Sequence, residues 1–428
     1  MIDWENIVIV CATKDRISQE FTQKAISHLY KLVGKTPKYF VSEVFSAGSF
    51  SAGEVDPKFR KVLFHEDLAK APLEGKSVYI FGIPCYEQKE NVPPGELSFR
   101  IGATAMAAYD NGAKEVNLVL TNSYFSRGDK AYFDYPEGSD ERKRNKGRGR
   151  PALLQAKHFH IDGIKKIITM ELHSKEVENF YREVYGHNNV LHSISASPHA
   201  AHYIAIESTL SRTNNGEQIV IVSPDKGARA RTDEFVNTLK HAYGLTNISV
   251  LYLDKTRKFA NNPDQVEIII NKVKPCSDNF TTLNNKDIII WDDLVDTAGT
   301  ISTVAKTLRK EGVNGDAHYG IPASVSAILV HPVLAGSNYE TAMQKLMSAE
   351  LKELVLFNTH PYIEDNLLYP LKEITSVIRT AWMFGEAIFN LEQNKSVNSM
   401  YLKDGNISAE IVAKTFNMKR SSSFKKKR

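Results

Sequence analysis

Short apolar runs rich in β-branched residues recur along this chain, each separated from the next by a stretch of helical periodicity. Ile7-Val8-Ile9-Val10 is followed by residues 18–32, where Ile26, Leu29 and Tyr30 fall on one helical face. Val78-Tyr79-Ile80-Phe81 is followed by an Ala-rich helical stretch, 97–110, which Asn111-Gly112 stops. Val116 to Leu120 and Ile167-Ile168-Thr169-Met170 continue the series. The rhythm then starts again: Ile219-Val220-Ile221-Val222, Ile248 to Leu253, Ile288-Ile289-Ile290-Trp291, Ala327 to Val330 and Leu354 to Phe357. A last helix is expected over 373–390, with Ile374, Val377, Ile378, Ala381, Gly385 and Ile388 on one face. Continuous apolar runs are the pattern of strands buried on both faces, so the expected class is α/β, with mostly parallel sheets between helices. A chain of 428 residues is long for one core, and two domains with a boundary near 185–200 are expected.

Composition removes several classes of function. The net charge of +4 is too small to imply nucleic acid as the partner. The exception is the end, where Lys419-Arg420 and Lys425-Lys426-Lys427-Arg428 flank three serines, a tail expected to be disordered. Cys11, Cys85 and Cys276 give neither a disulfide framework nor a zinc spacing, which suits a reducing compartment. No run approaches the roughly 18 apolar residues of a membrane helix, and the acidic start, Met1 to Glu5, does not read as a signal peptide. A cytoplasmic protein with no membrane partner is expected. The charged, Gly- and Pro-containing segment 129–150 reads as a mobile surface loop, whose cations could close over polyphosphate. Gly34-Lys35-Thr36 and Gly75-Lys76-Ser77 are not Walker loops, because Leu29 and Lys70 stand where the earlier glycine is needed.

The most informative stretch begins at Ile288. Four apolar residues lead into Asp292-Asp293-Leu294-Val295-Asp296-Thr297-Ala298-Gly299-Thr300, after which Ile301, Val304, Ala305 and Leu308 recur at helical spacing, with Gly312 as a stop. This reads as strand, tight loop, helix. Small residues let backbone amides approach a ligand. The start of a helix offers amides without intrahelical partners and the positive end of its dipole, a natural phosphate site. Asp292 and Asp293, expected to leave the strand just before the loop, can accept hydrogen bonds from sugar hydroxyls or hold a metal. Phosphate with polyol describes a sugar phosphate.

This string closely resembles the phosphoribosyl diphosphate binding motif of the type I phosphoribosyltransferase fold. Its Asp-Asp-x-x-Asp-Thr-x-Gly-Thr form resembles the version in ribose-phosphate diphosphokinases. Five further motifs match that family in order, and the resemblance runs over roughly residues 40–390. Phe50-Ser51-Ala52-Gly53-Glu54 and Arg127-Gly128-Asp129-Lys130 resemble its ATP-binding segments, which implies ATP-binding roles for Phe50, Glu54, Arg127 and Asp129. Met170-Glu171-Leu172-His173 and Ser223-Pro224-Asp225 through Arg231 resemble segments that imply metal ligands at His173 and Asp225. Lys255-Thr256-Arg257 resembles the basic pair of its catalytic loop.

The resemblance implies two phosphoribosyltransferase-like domains: 1–190, bearing the ATP-side motifs and completed by a helix near 373–392; 191–372, bearing the ribose 5-phosphate loop Asp292–Asp293 and Asp296–Thr300; and an extension, 393–428. It implies magnesium-dependent transfer of diphosphate from ATP to the anomeric hydroxyl of ribose 5-phosphate, giving phosphoribosyl diphosphate and AMP, with Lys255 and Arg257 catalytic. It also implies a homo-oligomer. The departures gather on the nucleotide side. Ala52 stands for an Asp or Asn, Gly128 for a Gln, Glu171 for an Asp and Ala228 for a Gly, and Leu329 to Pro332 replaces a Thr-His-Gly. Two alternatives therefore stay open: a larger acceptor such as ADP-ribose, in NAD rebuilding, and a non-catalytic regulatory paralogue.

Overall fold

The computed structural model describes residues 4–63, 69–86, 91–210, 213–253, 255–257, 268–270, 274–275, 282–310, 320–334, 339–403 and 406–417. Cys276, Gly312 and the basic tail lie outside the described residues. Contacts divide the chain into two units. The first is Met1–Ile194 with Thr359–Ile363 and Thr380–Asn398; the second is Ser195–Asn358 with Glu364–Arg379 and Ser399–Arg428.

The first unit is built on five parallel strands in the order Ile7–Cys11, Ser77–Gly82, Glu115–Leu120, Ile164–Met170, Leu191–Ile194. The apolar runs fill its middle: Val10, Ile80, Phe81, Leu118 and Val119 are fully buried. The helix Arg16–Leu32 starts where the Asp15 carboxylate accepts the Ser18 amide at 2.7 Å. It buries Phe21, Ala25 and Leu29 and packs on the helix Ala381–Glu392. The two helices approach so closely that any Cβ at Gly385 would collide with the Ala25 carbonyl. A hairpin, Phe45–Ser49 paired antiparallel with Val55–Phe59, stands beside the helix Pro94–Asp110. Arg100 of that helix holds it, donating to the Ala47 carbonyl at 3.3 Å, the Ser49 hydroxyl at 3.1 Å and the Glu96 carboxylate at 2.8 Å.

The second unit has a seven-stranded sheet, in the order Lys274–Pro275, Ser249–Tyr252, Ile219–Ser223, Asp287–Val295, Ser324–Pro332, Leu354–Phe357, Thr375–Ile378. Among the described residues of this sheet only the Lys274–Pro275 edge is antiparallel. Helices Arg229–Tyr243, Gly299–Lys310 and Tyr339–Met347 accompany it. The α/β reading therefore holds for both units.

Two local expectations need correction. The helix expected over 373–390 is three elements: a turn of helix at Leu371–Ile374, a strand at Thr375–Ile378, and the helix Ala381–Glu392. Thr375, Val377 and Ile378 are β-branched, and pairing beside Leu354–Phe357 outweighs their accidental helical spacing. The segment 129–150 has structure of its own. Ser139 caps a helix, Asp140–Arg144, and the guanidinium groups of Arg142 and Arg150 lie over Tyr132 and Phe133 at 5.7 and 5.2 Å.

Candidate functional site

Asp292 and Asp293 do not follow their strand; they lie inside it. The strand runs from Asp287 to Val295 because its neighbour, Ser324–Pro332, stays in register beside it to the pair Val295–Pro332. The Val333 amide then donates to the Val295 carbonyl at 2.9 Å. Both carboxylates are buried in consequence.

Their counter-charge comes from Arg231, in the first turn of Arg229–Tyr243 and itself buried. Its guanidinium lies 3.2 Å from Asp293 Oδ1 and 3.8 Å from Asp292 Oδ1. Asp292 Oδ1 also accepts the Asp293 amide at 3.0 Å. The loop ahead of that helix is fixed by Asp225, whose Oδ1 accepts the amides of Gly227 and Ala228 at 2.9 and 3.1 Å. Burial, and next the Asp293 charge, push the Asp292 carboxyl well above the usual carboxylate range; Arg231 opposes the shift and Asp225 adds to it. One guanidinium thus faces two carboxylates, with the Asp225 charge acting on Asp292 as well, and the surplus is negative. Such a cluster suits hydroxyl donors or a cation.

The chain leaves the strand through Asp296, Thr297 and Ala298. Ala298 is buried and has φ +57°, a left-handed conformation that costs a non-glycine residue about 1–2 kcal/mol. It turns the backbone so that the helix Gly299–Lys310 begins at once. Thr297 is exposed; Asp296, Gly299 and Thr300 are half-buried. The strained turn and the helix start form an amide-lined concavity of the kind that binds anions. In the same unit, Lys255 and Arg257 lie on a strand, Lys255–Arg257, paired antiparallel with Ile268–Ile270; their side chains are outside the described part.

The first unit carries the remaining candidates. Phe50 and Glu54 close the hairpin tip, where the Phe50 amide donates to the Glu54 carbonyl at 2.8 Å. Phe50 is 59% exposed, although the strands below it are clamped by Arg100. Arg127, exposed, sits in the turn Ser126–Gly128, which follows the strand Glu115–Leu120 and starts from Phe125 at φ +66°. Its carbonyl accepts from Arg148 at 2.9 Å. His173, half-buried, follows the strand Ile164–Met170 through Glu171 at φ +37°. The next residue ties these two loops together: the Ser174 hydroxyl donates to Asp129 at 2.8 Å. Gly128 has a packing reason, since a Cβ there would lie 2.7 Å from the Pro151 ring.

The structure thus gathers Asp225, Asp292 and Asp293, with the 296–300 loop next in chain, in the second unit. In the first it gathers Asp129 with the turn after His173. Among the described residues no three His, Cys, Asp or Glu side chains are grouped to hold a metal by themselves. Arg231 is the residue whose part the motifs left unassigned. Its signal was a charge on the same helical face as Phe235.

A buried acid cluster at a strand end, followed by a left-handed turn and a helix start, defines a domain of the phosphoribosyltransferase type. Residues 193–334 match the family model "Phosphoribosyl transferase domain". The chain is 26% identical over 329 residues to the ribose-phosphate pyrophosphokinase of Helicobacter hepaticus, covering 77% of this chain and 84% of the relative. It is 27% identical over 378 residues to that of Wolinella succinogenes, covering 86% and 95%. The phosphoribosylpyrophosphate synthetase of Mycobacterium smegmatis shares the fold, with a TM-score of 0.60 at 18% identity over 91% of this chain and 99% of that one. Residues 193–334 thus carry a phosphoribosyl transferase domain, and the chain as a whole is similar to ribose-phosphate pyrophosphokinases.

Proposed function

We propose that the protein transfers diphosphate from ATP to the anomeric hydroxyl of ribose 5-phosphate. The observation that carries this reading is the buried pair Asp292 and Asp293, with half-buried Asp225 beside them, leading into the strained loop 296–300. In this reading the loop amides hold the 5-phosphate, and Asp292 and Asp293 hold the ring hydroxyls. Their carboxylate oxygens accept from those hydroxyls. Phe50 and Glu54, with Arg127 and Asp129, hold ATP. The anomeric oxygen attacks the β-phosphorus, the bond from that phosphorus to the α-phosphate oxygen breaks, AMP leaves, and the hydroxyl proton is lost to water. Such a transfer is served chiefly by positioning and by neutralising charge on the moving group. Lys255 and Arg257 act as those donors.

Magnesium fits the donor set. The cluster has a surplus of negative charge, and one oxygen of Asp225 is already engaged by backbone amides. The described residues offer no complete protein shell, which is the usual case for magnesium held by one or two carboxylates with substrate phosphates. Asp225 in the second unit and His173 in the first are the residues proposed as metal ligands, and the metal would supply charge neutralisation on the phosphates. The same reading carries a cytoplasmic homo-oligomer. No described helix is long and apolar enough to cross a membrane.

The test is to incubate the protein with magnesium, ATP and either ribose 5-phosphate or ADP-ribose and to follow AMP. AMP with ribose 5-phosphate is expected. AMP with ADP-ribose alone would move the acceptor to the larger class, and no AMP with either would mark a regulatory paralogue. Lys255→Ala should cut turnover by orders of magnitude and leave ribose 5-phosphate binding nearly intact; equal losses in both would remove Lys255 from the chemistry.

A further inference from the structure

A cavity of about 240 Å³ opens in the first unit, at the end of its sheet away from the residues just described. Its floor is Ile7, Val8 and Ile9, at the amino end of the first strand, and Lys76 immediately before the neighbouring parallel strand. Arg127 and His173 follow the carboxyl ends of strands parallel to these. The site therefore belongs to the opposite edge of the sheet.

The lining has two chemistries. Four aromatic side chains line it: Trp4, Tyr30, Tyr39 and Phe40. Trp4 is held in place by a stack on Phe389, with centroids 5.3 Å apart and planes 12° from parallel. Tyr39 and Phe40 are 42% and 64% exposed, a large apolar surface to leave open to water. The lining is also basic. Lys35, Lys38 and Lys76 line the cavity against one acid, Glu5, leaving two positive charges in excess. Glu5 engages Lys35 and Lys38 at 3.4 and 3.3 Å on the exposed rim. Exposed pairs of this kind are worth at most about 1 kcal/mol and yield readily to a competing anion. Lys35 is positioned by the turn that ends its helix, its amide donating to the Tyr30 carbonyl at 2.9 Å. The cavity lies just below the roughly 300–1,000 Å³ range of drug-sized ligands.

We propose that this cavity binds a small planar aromatic anion, a one- or two-ring body bearing a single carboxylate or phosphate. The ring lies among Trp4, Tyr30, Tyr39 and Phe40, and the anion meets Lys38 and Lys76. Ring stacking and cation attraction each need the other half: a neutral ring forgoes the lysines, and a non-planar acid forgoes the aromatic side chains. The inference does not depend on the diphosphate-transfer reading, because it concerns another end of the sheet and is read out by binding.

The experiment is calorimetric titration of the full chain with 1-naphthoate and with 1-naphthyl phosphate, set beside neutral 1-naphthalenemethanol and non-planar cyclohexanecarboxylate. Saturable binding of one or both aromatic anions at one site per chain is expected, and the stronger of the two fixes the anion class. The neutral and non-planar compounds should bind at least tenfold more weakly. Lys76→Met and the exposed Tyr39→Ala should each weaken the anion at least tenfold while the melting temperature stays within a few degrees. Absence of saturable binding by both anions, equal binding of 1-naphthalenemethanol, or affinity unchanged in both variants would overturn the proposal. AMP formation in the absence of these compounds is unaffected by either result.

Discussion

Replacing Asp292 by Asn should stabilise the protein while damaging its sugar-phosphate site. The amide preserves shape and can still accept the Asp293 amide, the 3.0 Å bond that Asp292 Oδ1 makes now. What disappears is a buried negative charge. Its attraction to Arg231 at 3.8 Å amounts to about 4 kcal/mol at an effective dielectric constant of about 20. Against that stand its burial and repulsion from Asp293 and Asp225, which together outweigh Arg231, since the carboxyl is pushed up rather than down. A net gain of about 1–3 kcal/mol at pH 8 follows from relieving a poorly compensated buried charge. The gain depends on pH in a defined sense. A carboxyl with a folded pKa above its unfolded value favours folding at low pH, and that advantage is lost as pH rises from about 4 through the folded pKa. Wild type therefore loses stability over that window and Asp292→Asn does not. Calorimetric melting at pH 4.5 and pH 8 reads the difference as about 2–4 °C per kcal/mol. The variant should melt higher at pH 8 and nearly level with wild type at pH 4.5. A variant that melts lower at pH 8, or that shows the same gap at both, refutes the electrostatic account of the cluster.

The other predictions concern the same cluster and the close contacts around it. Arg231→Met should cost about 3–5 kcal/mol, since it strands two buried carboxylates, and Asp293→Asn in the same chain should recover part of the loss; melting without loss would contradict the ion pairing. Gly385→Ala should lower the melting temperature by several degrees, because its Cβ meets the Ala25 backbone rather than a side chain that can move. Ala298→Gly should stabilise the chain by about 1 kcal/mol by relieving the left-handed conformation, measured by urea unfolding; destabilisation would show that the strain is absent. Phe50→Ala should leave stability within about 0.5 kcal/mol, since the ring is exposed, yet raise the KM for ATP; an unchanged KM would remove Phe50 from the nucleotide side.

Much of the fold was legible because buried parallel strands announce themselves as unbroken apolar runs. Ile288 to Trp291 and Val78 to Phe81 could hardly be anything else. The boundaries were less legible. Asp292 and Asp293 look like the end of a strand because carboxylates rarely sit inside one; what keeps them there is Arg231, sixty residues earlier in sequence, and the register with Ser324–Pro332. Thr375–Ile378 read as helix because its apolar spacing happens to fit 3.6 residues per turn, whereas the neighbouring strand that claims it cannot be seen locally. Gly128 looked like a gap left on the nucleotide side, but its smallness answers to Pro151 lying above it. The candidate residues were picked out as an ordered series of motifs, which the structure places differently: Arg127 and His173 after strands, Phe50 and Glu54 at a hairpin tip, Asp292 and Asp293 inside a strand. The electrostatics of the site were not legible, because they depend on burial and on which charge faces which.

The most direct measurement follows the β-phosphorus. With ATP labelled at that atom, magnesium and ribose 5-phosphate, the label should appear in a sugar diphosphate while unlabelled AMP accumulates in equal amount. Label recovered in ADP, or a sugar that gains only the γ-phosphate, would contradict the account.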